Sequence, residues 1–508
     1  MKIQIEARFS GGLRALFQRF LYFSHMKRIL LVGTGPSGFA VLNSLDGLDD
    51  VWVMDGQTDF ENSKISSRSH LGLKQKFGSD HTYTDSDMAG IKVDGSYKLP
   101  ISYSRGGFGE IWGTGFTPYK ISKLFPEADF ELDASVTQSM KELLTIIPFS
   151  HVPGELDQRF GTVDLWSNAK YFGHLDSHPR FDQFLNTRAS SSKDGLLFGY
   201  PNLLLDSTKC TNCGLCLTGC PYGALFDPGE QINRMIFLKK LNHERFIKGI
   251  VQRLEPEATR VKVHYSANGE EVSEWFDEVI LSTGPLSTAI ILMNSGLLPD
   301  EFDIPDSQVF YGAFLSKKRF RAKNESKEVG QMVCYPEIES DLDFQISFYA
   351  PTELSRMRIS QSIFPTFFRN LRIPRILSER IIPAIGFLPE EVSGKIHIQK
   401  SADKFQVTRH KNPEANLVAR NSLKRVSFAL WRMGLVNFPL GTRIPPPGAG
   451  FHIGGSLRLG GDFLDIHGYL ISAKSIRVLD ASILPKIPAG AHTFLTMALI
   501  RTLIRGAS

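Results

Sequence analysis

The chain has 508 residues, enough for two or three domains with large cores, and its apolar (42%) and charged (22%) fractions are those of a soluble globular protein. A net charge of +5 is too small to argue for a nucleic-acid partner, and no run approaches the roughly 18 apolar residues of a membrane span. Four of the five cysteines crowd between positions 210 and 220. That crowding argues against a disulfide framework in a secreted chain and for a metal centre in a reducing, cytoplasmic setting.

Residues 1–25 carry Lys2, Arg8, Arg14 and Arg19 around the stretch LRALFQRFLYF. Gln18 and Arg19 interrupt its apolar core and no small-residue cleavage site follows, so a secretory signal is not expected. Met26 stands directly before the first strand. The segment therefore reads as a disordered leader or a mis-assigned start, or as a basic amphipathic stretch resting on the inner face of a membrane.

Ile29 to Val32 reads as a buried parallel strand, followed by Gly33-Thr34-Gly35-Pro36-Ser37-Gly38, helix-like sequence through Leu45, and a second strand from Val51 to Met54 ending in Asp55. Gly33 allows the tight turn, Gly35 lets backbone approach a pyrophosphate, and Gly38 lets the helix pack close to the strand. Asp55 arrives where an acid must sit to bind a ribose hydroxyl. Strand, glycines, helix, strand and acid in this order point to a dinucleotide site.

Residues 56–103 are polar and aperiodic, and read as loops. The stretch SRGGFGEIWGTGFTPY (104–119) is a poor helix or strand interior. It suits either a backbone lying against a flat ligand or an irregular surface loop. Residues 120–200 mix helical patterning near 135–147 with aromatic loops.

Residues 209–223, KCTNCGLCLTGCPYG, place Cys210, Cys213, Cys216 and Cys220 in the C-x2-C-x2-C-x3-C-P spacing of bacterial ferredoxins, whose thiolate loops wrap a [4Fe–4S] cluster. Structural zinc prefers two separated C-x2-C pairs or added histidines, which the stretch lacks. In two-cluster ferredoxins the fourth cysteine serves the other cluster, and this chain has a single run. Either Cys220 turns back onto its own cluster, the favoured reading, or Cys334 supplies the fourth thiolate.

Residues 247–296 alternate in strand patterns joined by Ala-Asn-Gly, then give an apolar strand from Glu278 to Ser282, Thr283-Gly284-Pro285 and a helix-like stretch. That is a second strand-to-turn approach to a cofactor, returning to the first sheet. The region 300–440 reads as a separate, mostly antiparallel domain with strands such as 395–410. Inside it, 356–388 interleaves six arginines with Phe, Ile and Leu. It reads as amphipathic helices over a core, or as a basic, apolar lip for a membrane surface or lipid-bearing substrate.

Near the C-terminus, GFHIGGSLRLGG sets His452 among glycines, SIRVLDASILPKIP gives a strand ending in Asp480, and His492 opens a helix. Both histidines sit at chain reversals. A helix N-terminus favours the neutral imidazole, which can accept a proton.

At these residues the chain resembles the glucose–methanol–choline oxidoreductases. His452-Ile-Gly-Gly455-Ser456 looks like their H-x-x-G-T/S signature and VLDASILPKIPAGAHTFLTMA like their C-terminal one. VILSTGPLSTAIILMNSG and GTGPSG look like the internal and N-terminal flavin motifs. The loop GGFGEIWGTG departs from the family's usual G-G-S-S-x-x-N and is similar to the sugar-oxidising branch. The ferredoxin-type insertion is a second departure.

The resemblance implies an α/β fold: a leader (1–25), a Rossmann-like FAD-binding domain in three parts (26–120, 231–300 and 446–508), a connecting segment (121–200), a small ferredoxin-like [4Fe–4S] insertion (201–230) and an α+β antiparallel-sheet substrate domain (301–445). It implies FAD held by Gly33, Gly35, Pro36, Ser37, Gly38 and Asp55, by Arg105, Gly107 and Trp112, by Val251, Thr283 and Gly284, and by Asp480 and Thr493. His452, or less favoured His492, would take the proton of an alcohol as hydride leaves for the flavin N5; the other would hold the oxygen. The cluster makes a dehydrogenase the expected enzyme, passing electrons to an acceptor protein or quinone, with a sugar, free or lipid-linked, as substrate. The alternatives are a ferredoxin-driven flavin reductase of a carbonyl or alkene, a non-catalytic electron-transfer or interaction flavoprotein, and a zinc-stapled flavoprotein.

Overall fold

The computed structural model describes residues 27–48, 50–56, 90–94, 99, 101–124, 130–166, 173, 175–188, 194–214, 216, 220–319, 327, 329–337, 344–351, 380–402 and 404–506. The leader and most of the arginine-rich 356–388 stretch lie outside the described residues. No helix among the described residues is long and apolar enough to cross a membrane.

The main sheet collects strands from both ends and the middle of the chain. They are β1 (Ile29–Val32), β2 (Val51–Asp55), β3 (Phe246–Lys248), β4 (Glu278–Leu281), β5 (Tyr469–Leu470) and β6 (Ala473–Val478). Their order is β5-β6-β4-β1-β2-β3, parallel throughout except for the β5–β6 edge. Every residue of β4 is buried, the pattern of a strand covered on both faces.

Three helices pack close to this sheet or continue directly from it: α1 (Pro36–Leu42), α2 (Pro285–Asn294) and α3 (Thr493–Arg505). α1 stops at Leu42 rather than Leu45, where the Asn43 side chain donates to the Phe39 carbonyl. α3 packs against α1 and against helix Phe130–Ile146. That helix buries Val136, Met140, Leu143 and Leu144, spaced along one helical face.

Because the strands run parallel, their C-terminal ends share one edge. Gly33 follows β1, Asp55 ends β2, Thr283-Gly284 follows β4 and Asp480 follows β6. In open α/β sheets that edge is where ligands bind.

A second six-stranded sheet is antiparallel throughout, in the order 435–437, 309–316, 381–387, 345–348, 332–336, 196–199. Its apolar face meets helix Pro413–Leu430 through Ala419, Leu423 and Val426, and helix Pro179–Thr187 through Phe181 and Phe184. The edge strand Leu196–Gly199 comes from ahead of the cysteine segment, so this sheet draws on residues outside 301–445. The expected 395–410 strands form a hairpin within a four-stranded sheet. The 247–276 stretch forms the three-stranded meander 250–256, 261–267, 270–276.

Candidate active site and cysteine centre

The glycine turn after β1 is built on contacts that a side chain would break. Gly33 has φ +98°, and a Cβ there would meet the Ser282 carbonyl oxygen at 2.5 Å. A Cβ on Gly38 would lie 2.1 Å from the Gly33 carbonyl oxygen, so the first turn of α1 rests directly on the strand. Gly35 caps α1 with no side-chain hydrogen bond and Pro36 takes the first turn, leaving backbone N–H groups unclaimed by side chains.

The loop 104–112 faces this turn backbone to backbone: a Cβ on Gly107 would be 3.7 Å from Gly35 Cα. The two loops are joined by the Gly106 N–H, which donates to Thr34 Oγ1 at 3.2 Å. Thr34 in turn donates to Asp55 Oδ2 at 3.2 Å, and Arg105 Nε forms a buried ion pair with the same oxygen at 2.9 Å. One oxygen of the carboxylate expected at a ribose is thus committed to Arg105 and Thr34, while Arg105 Nη1 reaches Asn233 at 3.1 Å.

Asp480 is almost completely buried. Its Oδ2 accepts from Thr288 Oγ1 at 2.5 Å and its Oδ1 from the Ser482 N–H at 2.8 Å. Burial raises its pKa against these donors and the Gly284 backbone. Thr288 also bonds Thr283 at 2.8 Å, so the second glycine turn and the C-terminal segment are stitched together. Val251 is buried at the start of strand Ile250–Pro256, opposite Tyr265, and Thr493 opens α3.

The segment after Gly448 threads between two others. The His452 carbonyl accepts from the Ser307 N–H at 3.1 Å, and the Gly455 and Leu457 N–H groups donate to the Ala481 and Ser482 carbonyls at 2.9 Å. His492 caps α3, its carbonyl accepting from the Thr496 N–H at 2.9 Å. These constraints bring two imidazoles forty residues apart to a ring-centroid distance of 5.3 Å, edge to face at 73°.

The His452 ring stacks on Phe387 at 4.1 Å. Burial lowers His452 to about 3, reinforced by the neighbouring His492, and lowers His492 to about 4; the Gly490 backbone pulls both the other way. Both rings are therefore neutral at pH 7, and each buries an Nδ1 with no partner among the described residues. Glu390 ties neighbouring segments together: it accepts from the Ile487 N–H at 2.9 Å and pairs with Arg458. Gln345 accepts from the Ala491 N–H at 3.3 Å.

The cysteine segment is a loop closed at its neck. Leu205 bridges Leu225, the Asp206 N–H donates to the Ala224 carbonyl at 2.8 Å, and the Phe226 N–H to the Leu204 carbonyl at 2.9 Å. Cys210, Cys213, Cys216 and Cys220 all line one cavity inside it. Three of the four pack on the small core of Leu175, Leu203, Leu205, Leu225 and Val329. The Ala224 N–H points at Cys220 Sγ at 3.4 Å. Burial pushes the Cys210 thiol up, while the Asn212 backbone and the Lys327 charge oppose it. Cys334 lies elsewhere, fully buried in the second sheet's core between Phe198 and Ile346.

The two sites touch. Trp112 Nε1 donates to the Phe226 carbonyl at 2.8 Å, and the Phe226 ring meets Phe39 of α1 at 5.1 Å. A Cβ on Gly229 would lie 2.6 Å from the Arg105 carbonyl oxygen, so the helix after the cysteines is pressed onto the glycine-rich loop.

A solved structure, pyridoxine 4-oxidase from Mesorbium loti, aligns over 95% of this chain and 99% of its own with a TM-score of 0.60 at 14% identity. The two share a fold. Residues 203–226 match the family described as 4Fe-4S binding domain. None of the curated proteins matches the chain. The chain is thus a mixed α/β protein, similar in fold to that oxidase, with a segment similar to 4Fe-4S binding domains inserted beside the main sheet.

The glycine turn and the cysteine loop are compatible with the groups expected there, while Asp55, Arg105 and Trp112 commit side-chain atoms to protein partners. The Gly33–Gly38 turn, where a Cβ at Gly33 or Gly38 would clash with backbone, lies at the ligand edge of the parallel sheet with the 104–112 loop beside it, which suits a dinucleotide. Four thiols around one cavity with a backbone N–H aimed at sulfur suit a thiolate-bound cluster. Phe387, Gln345, Glu390 and Lys327 were not singled out in the sequence. Each lies far along the chain from what it touches, and no spacing rule marks such a residue.

Proposed function

We propose that the protein is an oxidoreductase of the glucose–methanol–choline family that oxidises an alcohol CH–OH, with FAD on the glycine turns and a [4Fe–4S] cluster on Cys210, Cys213, Cys216 and Cys220. The reading is carried by the imidazole pair: two neutral rings 5.3 Å apart, each with a buried Nδ1 that has no partner among the described residues. The likeness in fold to a pyridoxine 4-oxidase and the 4Fe-4S match support its two halves.

A neutral imidazole keeps one acceptor nitrogen. On His452, whose orientation is fixed by the stack on Phe387, that nitrogen takes the hydroxyl proton of the substrate. His492 hydrogen-bonds the same oxygen and so holds the reacting carbon in place. Their low proton affinity keeps both rings ready to act at neutral pH. When bound, FAD supplies a hydride acceptor and the cluster a one-electron relay. Trp112, hydrogen-bonded to the Phe226 carbonyl, would link the glycine-rich loop that holds FAD to the segment that holds the cluster, with a protein or quinone as the proposed acceptor. The proposed substrate is a sugar or sugar-containing metabolite, from the likeness of the Trp112 loop to the sugar-oxidising branch.

The test is an anaerobic screen of sugars and nucleotide sugars for flavin bleaching. His452→Ala and His492→Ala should each lose about 100- to 10,000-fold in turnover while retaining FAD. Normal turnover in both variants would defeat the assignment. Rapid stoichiometric peroxide in air, unaffected by Cys213→Ser, would make the protein an oxidase instead.

A further inference from the structure

Lys327 is 3% exposed and lines the cysteine cavity. Its ammonium donates to the Asp176 carbonyl and, among the described residues, forms no ion pair. The charges at the neck of the loop answer each other, Lys209 Nζ lying 3.5 Å from Asp206 Oδ2. A buried ammonium whose partner among the described residues is one carbonyl is costly unless an anion faces it. It shares its cavity with all four cysteines, beside Thr211, Asn212 and Tyr222, and of these the cysteines are the groups that a bound metal would hold as anions.

We infer that Lys327 is the counter-charge of the iron–sulfur centre and sets its reduction potential. The inference rests on the reading that these cysteines hold a cluster. A cluster with four thiolates is a net anion, and one electron gained makes it more negative. A fixed positive charge in the same cavity favours the reduced form, because opposite charges attract most strongly where water is excluded. Lys327 therefore raises the potential, which makes the cluster a better acceptor of single electrons leaving the flavin. It is a positioning residue in electrostatic terms: it binds neither substrate nor metal. The KKRFRAKNESKEVG stretch around it carries many charges, so sequence alone does not distinguish this lysine from its neighbours.

The experiment is a redox titration of the anaerobically purified full chain, followed by the electron paramagnetic resonance signal of the reduced cluster. Lys327→Met should make the cluster about tenfold harder to reduce, a downward shift of about 59 mV for one electron. Lys327→Arg, which keeps the charge, should restore most of it. If the methionine variant does not retain the cluster, Lys327→Gln, which can still donate to the Asp176 carbonyl, carries the same titration and the same expectation. A loaded methionine or glutamine variant titrating at the wild-type potential, or an arginine variant shifted as far as methionine, overturns the inference and leaves the cluster reading intact. Wild-type protein without iron and acid-labile sulfide overturns the cluster reading itself.

Discussion

Replacing Gly38 by alanine puts a methyl carbon 2.1 Å from the Gly33 carbonyl oxygen and 3.0 Å from its carbonyl carbon. Both atoms are backbone, and Gly33 is itself held by its φ of +98° and by the Ser282 carbonyl just past the end of β4. The turn has no flexible side chain that could swing aside. The first turn of α1 must move away from β1 by roughly an ångström to reach an ordinary contact. Overpacking of this kind costs about 1–3 kcal/mol. If the loss falls on folding, it lowers Tm by about 2–12 °C for a folding unit of 150–250 residues. If it falls on the cofactor, FAD binds about 5- to 150-fold more weakly. The assay is the flavin content of the purified protein together with a thermal unfolding curve. The control is Gly47→Ala, an exposed position whose Cβ would have nothing within 4 Å. A Gly38→Ala protein with wild-type flavin content and Tm would refute the claim that this turn is packed for a dinucleotide.

The histidine pair predicts a pH dependence of stability. Both imidazoles are lowered on folding, so their contribution is complete above an unfolded value near 6.5 and is lost as the pH falls toward about 4 and about 3. Between pH 7.5 and 4.5 each should cost about 3 kcal/mol, and a His452→Gln/His492→Gln double variant should lose correspondingly less in urea titrations at the two pH values; an equal loss would contradict the burial of neutral rings. Arg105→Met removes the buried cation paired with Asp55 Oδ2 and should destabilise by about 3–5 kcal/mol, with Asp55→Asn in the same chain recovering part of it in chemical denaturation. Cys334→Ala should keep a full complement of iron while Cys220→Ser loses it, as measured by metal analysis after anaerobic purification; the reverse would move the fourth thiolate to the second sheet.

What was legible in the sequence was local. The turn from Gly33 to Gly38, the cysteine spacing, Thr283-Gly284 and the helix opened by His492 are each fixed by neighbours a few residues away. The structure realises each as a turn, a closed loop or a cap. The less legible features depend on the chain returning to itself. Leu196–Gly199 joins the second sheet because Met332–Pro336 offers it an edge, a pairing without local signal. Trp112 reads as a ligand-facing ring, yet its indole N–H is committed to the Phe226 carbonyl beside the cysteines. Asp55 reads as a ribose acceptor, yet Arg105, fifty residues on, claims one of its oxygens. Polar groups buried this way take whichever partner the packing delivers, and spacing along the chain does not encode that choice.

The central claim is that one chain holds both a flavin and an iron–sulfur centre. Anaerobic purification followed by assay of released flavin, iron and acid-labile sulfide tests it most directly. The prediction is about one FAD, four iron and four sulfide per chain. A colourless protein, or a yellow one carrying zinc and no sulfide, would contradict it.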